Sequence, residues 1–229
     1  MSRKPIGHWL CIDGVGLYPM AMTHDRASHA APTAASHEGE HSVRTQLIEA
    51  AAVHFSRYGY AKTTLAELAR EVGFSKSYIY RFFKSKQEIG EAICEITLQR
   101  ILTAIANDAM AAEYPTEKLR KTFKIIANFG VDTFFHDRRL HDIAAASYDE
   151  QWGSSKRYRH AVAEFIRQIL TEGRASGEFE RKTPLDETVR SIMLAISPFM
   201  DPRALQHNLD LVPEGLVELT GLVLRSLAP

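Results

Sequence analysis

The sequence predicts an all-α fold, and three observations predict it. From Ser42 onward, apolar side chains recur at helical spacing, as in Leu47, Ile48, Ala51 and Phe55. Thr64 to Glu67 and Ser85 to Glu88 both have the form in which a hydroxyl and a carboxylate three residues apart satisfy each other's backbone donors at a helix start. No segment alternates apolar and polar residues well enough for a strand, and no internal repeat is present.

The elements follow in order. Residues 1–41 are small and polar, rich in Ala, Ser and His without apolar periodicity, and read as a poorly ordered tail. A first helix starts near Ser42 and stops at Gly59. Behind Thr64, the stripe Leu65, Leu68, Ala69 and Val72 predicts a second, closed by Gly73. Ser75 caps a short third helix from Lys76 to about Phe83. Ser85 opens a long fourth through Ile89, Ile93 and Ile96. Pro115 and Thr116 open a fifth, which carries Leu119, Phe123, Ile126 and Phe129. Two more run from about Arg138 to Glu150 and from about Ser155 to Arg174. After Gly177, Thr183 and Pro184 form an N-cap and first-turn pair for a helix striped by Leu185, Val189, Ile192, Met193 and Ile196. Pro213 starts the last, striped by Leu216, Leu219, Val223 and Leu227.

The 229 residues carry 28 cationic and 28 acidic side chains, so any surface for a polyanion must be local. No apolar run approaches the ~20 residues that cross a bilayer. The opening MSRKPIGHWLCIDGVGLYPMAM imitates a signal peptide, but Asp13, two glycines and Pro19 interrupt it, and a cytoplasmic protein is expected. Cys11 and Cys94 have no redox or metal-ligand spacing and fit a reducing compartment. His24, His29, His37 and His41 are irregularly spaced without thiols or paired carboxylates, so no metal or cofactor is expected.

A local surface does emerge around GFSKSYIYRFFKSK, residues 73–86. Two short helices joined by Gly73, Phe74 and Ser75 have the helix-turn-helix layout. On the second of them Ile79, Phe82 and Phe83 converge inward, while Ser77 and Arg81 point away, flanked by Tyr78 and Tyr80, with Lys76 in the first turn. Hydroxyls, aromatic tips and a guanidinium suit base edges and phosphates in a major groove that admits a helix. Residues 42–90 hold eight cations, among them Lys84 and Lys86, against four acids, a local net of +4. The helix starts at Thr64, Ser75 and Ser85 add free amides for phosphate.

The run RTQLIEAAAVHFSRYGYAKTTLAELAREVGFSKSYIYRFFKSKQEI resembles the N-terminal domain of tetracycline-repressor-type (TetR/AcrR) transcriptional regulators. The matching motifs are F-x-x-x-G-Y, T-T-L-x-x-L-A-x-x-V-G, S-K-x-x-x-Y-x-x-F and K-S-K, in order and without gaps. The resemblance implies phosphate contacts by Thr64, Tyr80 and Lys86, and contacts to bases or nearby backbone by Lys76, Ser77, Tyr78 and Arg81. Ser77 and Tyr78 stand where many relatives carry Gly and Thr, which leaves the base preference open. The family's architecture implies a DNA-binding domain at 42–90 and a ligand-binding, dimerising domain at 91–229, with helices 184–199 and 213–227 forming a homodimer. Their stripes fit an intrachain core equally well. The expected partners are double-stranded DNA, a small organic effector and a second copy of the chain, with no membrane.

Candidates for the effector site are Phe129, Phe134, His141, Tyr148, Trp152 and Met193, with Phe135 and Phe199 beside them. His141 or Tyr148 would orient the ligand, and the lack of a charge cluster points to an apolar or amphipathic molecule. An enzyme is the rival class, because His136, Asp137, His141 and Asp142 invite a metal reading. His136 and His141 fall about 140° apart on a helix, and no nucleophile elbow, HExxH or phosphate loop is present. A helical adaptor that keeps the fold without DNA binding is the third reading. The polar face at Lys76–Arg81 argues against it.

Overall fold

In the computed structural model, which describes residues 34–136 and 138–229, with side chains from Ser42 on apart from 136–139, every regular element is helical. Helix α1 spans Ala34–Tyr58, α2 Leu65–Val72, α3 Lys76–Phe82 and α4 Lys86–Ala104. The chain continues through α5 (Pro115–His136), α6 (Arg138–Asp149), α7 (Gly153–Ser176), α8 (Leu185–Met200), the single turn α9 (Pro202–Leu205) and α10 (Val212–Ser226). A π-helical turn, Ile105–Ala109, extends α4, and a 3₁₀ turn, Leu209–Leu211, leads into α10.

Most boundaries fall where the caps place them. Gly73 ends α2 at φ 76°, a left-handed conformation that costs glycine nothing, and Phe74 N–H then reaches back to Ala69 C=O at 3.0 Å. Two boundaries and one cap depart from expectation. Helix α1 starts at Ala34 rather than Ser42, because helix-forming Ala34 and Ala35 continue it upstream of any apolar stripe. The remainder of the expected tail, 1–33, lies outside the described residues. Pro184 is the N-cap of α8 rather than its first turn, and Arg174 holds the preceding Thr183 carbonyl at 2.7 Å. The carboxylate of Glu88 accepts from the amide of Lys84 at 2.6 Å, not from Ser85, so the second cap is reciprocal only in its hydroxyl half.

Two apolar cores organise the helices. One gathers Leu47, Ala51 and Phe55 of α1, Leu68 of α2, Ile79 of α3, Phe83, and Ile89, Ile93 and Cys94 of α4. Ile143 of α6 and Trp152 complete it from the far side. The other packs Ile101 of α4 and Ile105 against Phe123 and Ile126 of α5, Val162 and Ile166 of α7, Ile192 and Ile196 of α8, and Leu216 and Val223 of α10. Leu98, on α4, touches both cores. Helices α4 and α6 therefore run between the small N-terminal unit and the larger bundle. Among the described residues no helix is long and apolar enough to cross a membrane.

Candidate functional site

The helix-turn-helix unit is built from its caps outward. The Thr64 hydroxyl accepts from Glu67 N–H at 3.2 Å, and Glu67 Oε2 accepts from Thr64 N–H at 2.8 Å, so the predicted box at the start of α2 is complete. These bonds hold the Glu67 carboxyl below its ordinary value, with the Thr64 backbone bond the largest cause. The Ser75 hydroxyl accepts from Tyr78 N–H at 3.1 Å and starts α3 directly after the glycine turn.

Helix α3 is fixed by Ile79, which is buried, and its opposite side faces solvent. Ser75, Lys76, Ser77, Tyr80 and Arg81 are all exposed, and Tyr80, 44% exposed, has Lys76 Nζ 5.8 Å from its ring centroid. Tyr78 is less free than its angle suggests. Its ring stacks on Phe74 at 5.1 Å, meets Phe82 edge-on at 5.4 Å, and carries the Arg81 guanidinium at 5.8 Å. Phe82 is accordingly half-buried rather than a full core residue, and it props up Tyr78 instead. Thr64 and Lys84 are exposed. Lys86 is half-buried, and its ammonium is engaged: it donates to Tyr60 C=O at 2.9 Å and Ala61 C=O at 3.4 Å, and lies 4.4 Å from the Tyr60 ring centroid. This cation ties the beginning of the α1–α2 connection to the start of α4, with one of its three donors left over.

The larger bundle encloses a cavity of about 70 Å³. Cys94, Thr97, Leu98 and Ile101 of α4 form one wall, and Ile126, Phe129, Gly130 and Thr133 of α5 another. Helix α6 contributes Leu140, His141, Ala144, Ser147 and Tyr148, α7 contributes Tyr158, and Phe199, Met200, Pro202 and Leu205 close the remaining side. No Asp, Glu, Lys or Arg is among these residues.

Of the predicted effector-site residues, Phe129, His141 and Tyr148 come together on this cavity, with Phe199. Phe134 stands behind the wall, edge-on to His141 at 5.0 Å. Phe135 is exposed, and Met193 packs against the bundle core. Trp152 belongs to the other core. Its backbone N–H bonds Ser147 C=O at 2.9 Å, its indole N–H donates to Glu150 at 2.8 Å, and its ring meets Tyr60 edge-on at 5.5 Å. A Cβ placed on Gly90 would lie 2.7 Å from that indole, so glycine gives the tryptophan its seat. The α4 contributions were hidden in the sequence, since Leu98 and Ile101 share the spacing of an ordinary core stripe.

The polar groups on the cavity are mostly committed. Thr133 donates to Phe129 C=O at 2.7 Å, Ser147 to Ala144 C=O at 2.7 Å, and Thr97 to Ile93 C=O at 3.4 Å. His141 Nε2 lies 2.9 Å from Pro202 C=O, and because a carbonyl only accepts, that nitrogen carries the proton. The Tyr148 hydroxyl is buried without a hydrogen-bond partner. Burial pushes the Cys94 thiol up to about 12 and raises the Tyr148 and Tyr158 phenols, so all three stay protonated near neutrality. Among the described residues no three His, Cys, Asp or Glu side chains are placed to hold a metal. The tail histidines His24 and His29, and the side chains of His37, His41, His136 and Asp137, lie outside what is described.

Comparisons with known proteins agree with this division of labour. Residues 47–93 match the family model for bacterial regulatory proteins of the tetR family, and residues 115–211 match that for the tetracyclin repressor-like C-terminal domain. The chain is 25% identical over 182 residues to the HTH-type transcriptional regulator BetI of Agrobacterium fabrum, covering 79% of this chain and 84% of that protein. It is 26% identical over 194 residues to the HTH-type transcriptional regulator YfiR of Bacillus subtilis, covering 80% and 90%. The crystal structure of the transcriptional regulator FadR from Bacillus subtilis, in complex with stearoyl-CoA, superposes with a TM-score of 0.56 at 19% identity, covering 79% of this chain and 95% of that one.

Proposed function

The chain belongs to the tetR family of bacterial regulatory proteins, and from that premise we propose that it represses transcription as a homodimer on a two-fold operator until a small organic effector releases it. It is a ligand-responsive transcriptional regulator and not an enzyme. The observation that carries the proposal is the solvent face of α3: Lys76, Ser77, Tyr80 and Arg81 are exposed around a buried Ile79, on a unit whose caps at Thr64 and Ser75 are both formed. In this reading Lys76, Ser77, Tyr78 and Arg81 meet bases or nearby backbone, with Arg81 the strongest base reader. Thr64, Ser75, Tyr80 and Lys84 anchor phosphates, and Lys86 does so with its one spare donor.

The dimer surface proposed for α8 and α10 is not the stripe that defines these helices in the sequence. Val189, Ile192, Ile196, Leu216 and Val223 are buried within the chain. Leu194 on α8 and Val217 and Leu222 on α10 are 76%, 67% and 59% exposed, and they supply apolar area for a partner copy. Domain limits are proposed at 42–90 and 91–229, within α4, which contributes to both cores, and α4 and α6 carry effector occupancy to the DNA-binding unit. The FadR complex supports a small-molecule ligand in a bundle of this fold.

Selection from random duplex DNA tests the whole reading. A palindrome should emerge, with half-sites one helical turn or a multiple of it apart. Arg81→Ala should lower operator affinity about tenfold or more at an unchanged melting temperature. Operator binding by Arg81→Ala equal to wild type would reject the recognition assignment. Sedimentation equilibrium should give a dimer that Leu194→Glu with Val217→Glu converts to monomer.

A further inference from the structure

The cavity carries more information than its presence, because its polar groups differ in what they can still bond. Of the two side chains that the sequence offers for orienting a ligand, His141 is spent on Pro202 C=O. The Thr97, Thr133 and Ser147 hydroxyls are spent on carbonyls of their own helices. Tyr148 is different: it lines the cavity, is 6% exposed, and its hydroxyl has no partner. A buried hydroxyl without a partner is costly, and few are left so in a folded protein. The Arg159 guanidinium approaches Tyr148, 5.2 Å from its ring centroid, and is not on the cavity wall. Arginine only donates, so however closely it approaches, the phenolic hydrogen still has nothing to bond.

The rest of the wall sets the charge of what enters. Without an ionisable acid, lysine or arginine on it, a carboxylate or ammonium placed inside would be desolvated and unpaired, at heavy cost. The vacancy to be filled is therefore largely apolar, with an acceptor position at the Tyr148 hydroxyl.

We propose that the cavity takes an uncharged, largely apolar ligand bearing one hydrogen-bond-accepting oxygen, such as a ketone, ester or lactone carbonyl, and that the Tyr148 hydroxyl donates to that oxygen. The proposal rests on the reading above only in taking the cavity as the effector site. At about 70 Å³ the cavity is smaller than the ~150 Å³ void that accommodates benzene, so ligands beyond a few heavy atoms must displace part of its wall. The single turn Pro202–Leu205, fastened by the His141–Pro202 contact, is the shortest element on that wall.

Three probe series separate the terms: straight-chain 2-alkanones, the 2-methyl-1-alkenes of the same shape, and the carboxylates of the same length, each titrated calorimetrically into the full-length protein and its Tyr148→Phe variant. Wild type should bind the ketone roughly five- to tenfold more tightly than the matching alkene, the range expected of one hydrogen bond. Tyr148→Phe should bring the two to parity. It should also raise the melting temperature of the unliganded protein by about 2–4 °C, because a partnerless hydroxyl leaves the interior. A ketone preference that survives in Tyr148→Phe, a carboxylate that binds more tightly than its ketone, or no binding by any ketone would each overturn the proposal. Operator affinity measured on the same samples keeps the two readings apart. Ketone binding with the expected preference but no effect on DNA leaves the ligand assignment standing and removes the coupling. Arg81-dependent operator binding in a protein that accepts no ketone does the reverse.

Discussion

The helix-turn-helix unit and the cavity-bearing bundle both have to pair their polar groups, and they do so at different ranges along the chain. Between Thr64 and Glu88 the caps close within three or four residues: Thr64 with Glu67, Ser75 with Tyr78, Ser85 with Glu88. In the bundle, beside local bonds such as Thr133 to Phe129, others join distant segments, such as Thr116 to Glu178, Lys118 to Glu172 and His141 to Pro202. The bundle also retains buried hydroxyls with no partner, at Tyr148 and at Ser154 of α7. Short-range closure makes a stiff unit whose outward face is free to specialise. Long-range closure makes a frame whose interior depends on which helices meet, and there an unmet donor can persist until a ligand meets it.

The contrast is broken most severely where the two regions share a residue. Trp152 is buried between Tyr60 and Gly90, and Trp152→Ala should cost about 3–5 kcal/mol in urea unfolding. Both regions should lose stability together, read as coincident transitions by tyrosine fluorescence and far-UV dichroism; separate transitions would show that the cores are independent. Gly90→Ala forces the same joint from the other side and should cost about 1–3 kcal/mol through overpacking, since the methyl group meets a fixed ring rather than a flexible chain end.

Smaller effects sharpen the short-range half of the contrast. Gly73→Ala places a side chain at φ 76° with open space around it, so the expected loss of about 1–2 kcal/mol comes from backbone conformation alone. Thr64→Ala removes one cap and should cost about 1 kcal/mol, with operator affinity falling further than the melting temperature explains if Thr64 also meets phosphate.

The smallest effect probes the long-range half. The Lys118 ammonium, 2.6 Å away, is the chief cause holding the Glu172 carboxyl below its ordinary value near 4.5. A lowered carboxyl pKa stabilises the fold above the unfolded-state value, and that contribution is lost as pH falls through the folded-state value. Glu172 is partly exposed, so Lys118→Met should cost only about 0.5 kcal/mol at pH 7, and the difference from wild type should shrink as the pH falls below about 4.5. Melting curves between pH 3 and pH 7 would show this, and a constant difference would mean that the pair acts through packing.

What could be read in the sequence follows the same division. The capping residues and Gly73 lie within a few positions of what they bond, so α2, α3 and the exposure of Lys76, Ser77 and Arg81 were legible. Tyr78 was only half legible: its angle on the helix is outward, but Phe74 and Phe82 draw it into a stack. In the bundle, Phe129, His141 and Tyr148 could be named because aromatic and polar residues mingle there. That Trp152 packs in the other core was not legible, since its ring is held by Glu150 through the indole N–H and seated by the missing side chain of Gly90, sixty-two residues upstream. The exposed Leu194, Val217 and Leu222 went unnoticed behind the stronger stripes beside them.

The cavity has a mechanical consequence as well. Hydrostatic pressure favours states in which voids vanish, and an internal volume of about 70 Å³ per chain corresponds to a volume change on the order of 40 mL/mol. The bundle thus carries a volume that pressure can remove. A few kilobar should admit solvent beside Tyr148 before disturbing α3, and a molecule already seated there would act as a strut.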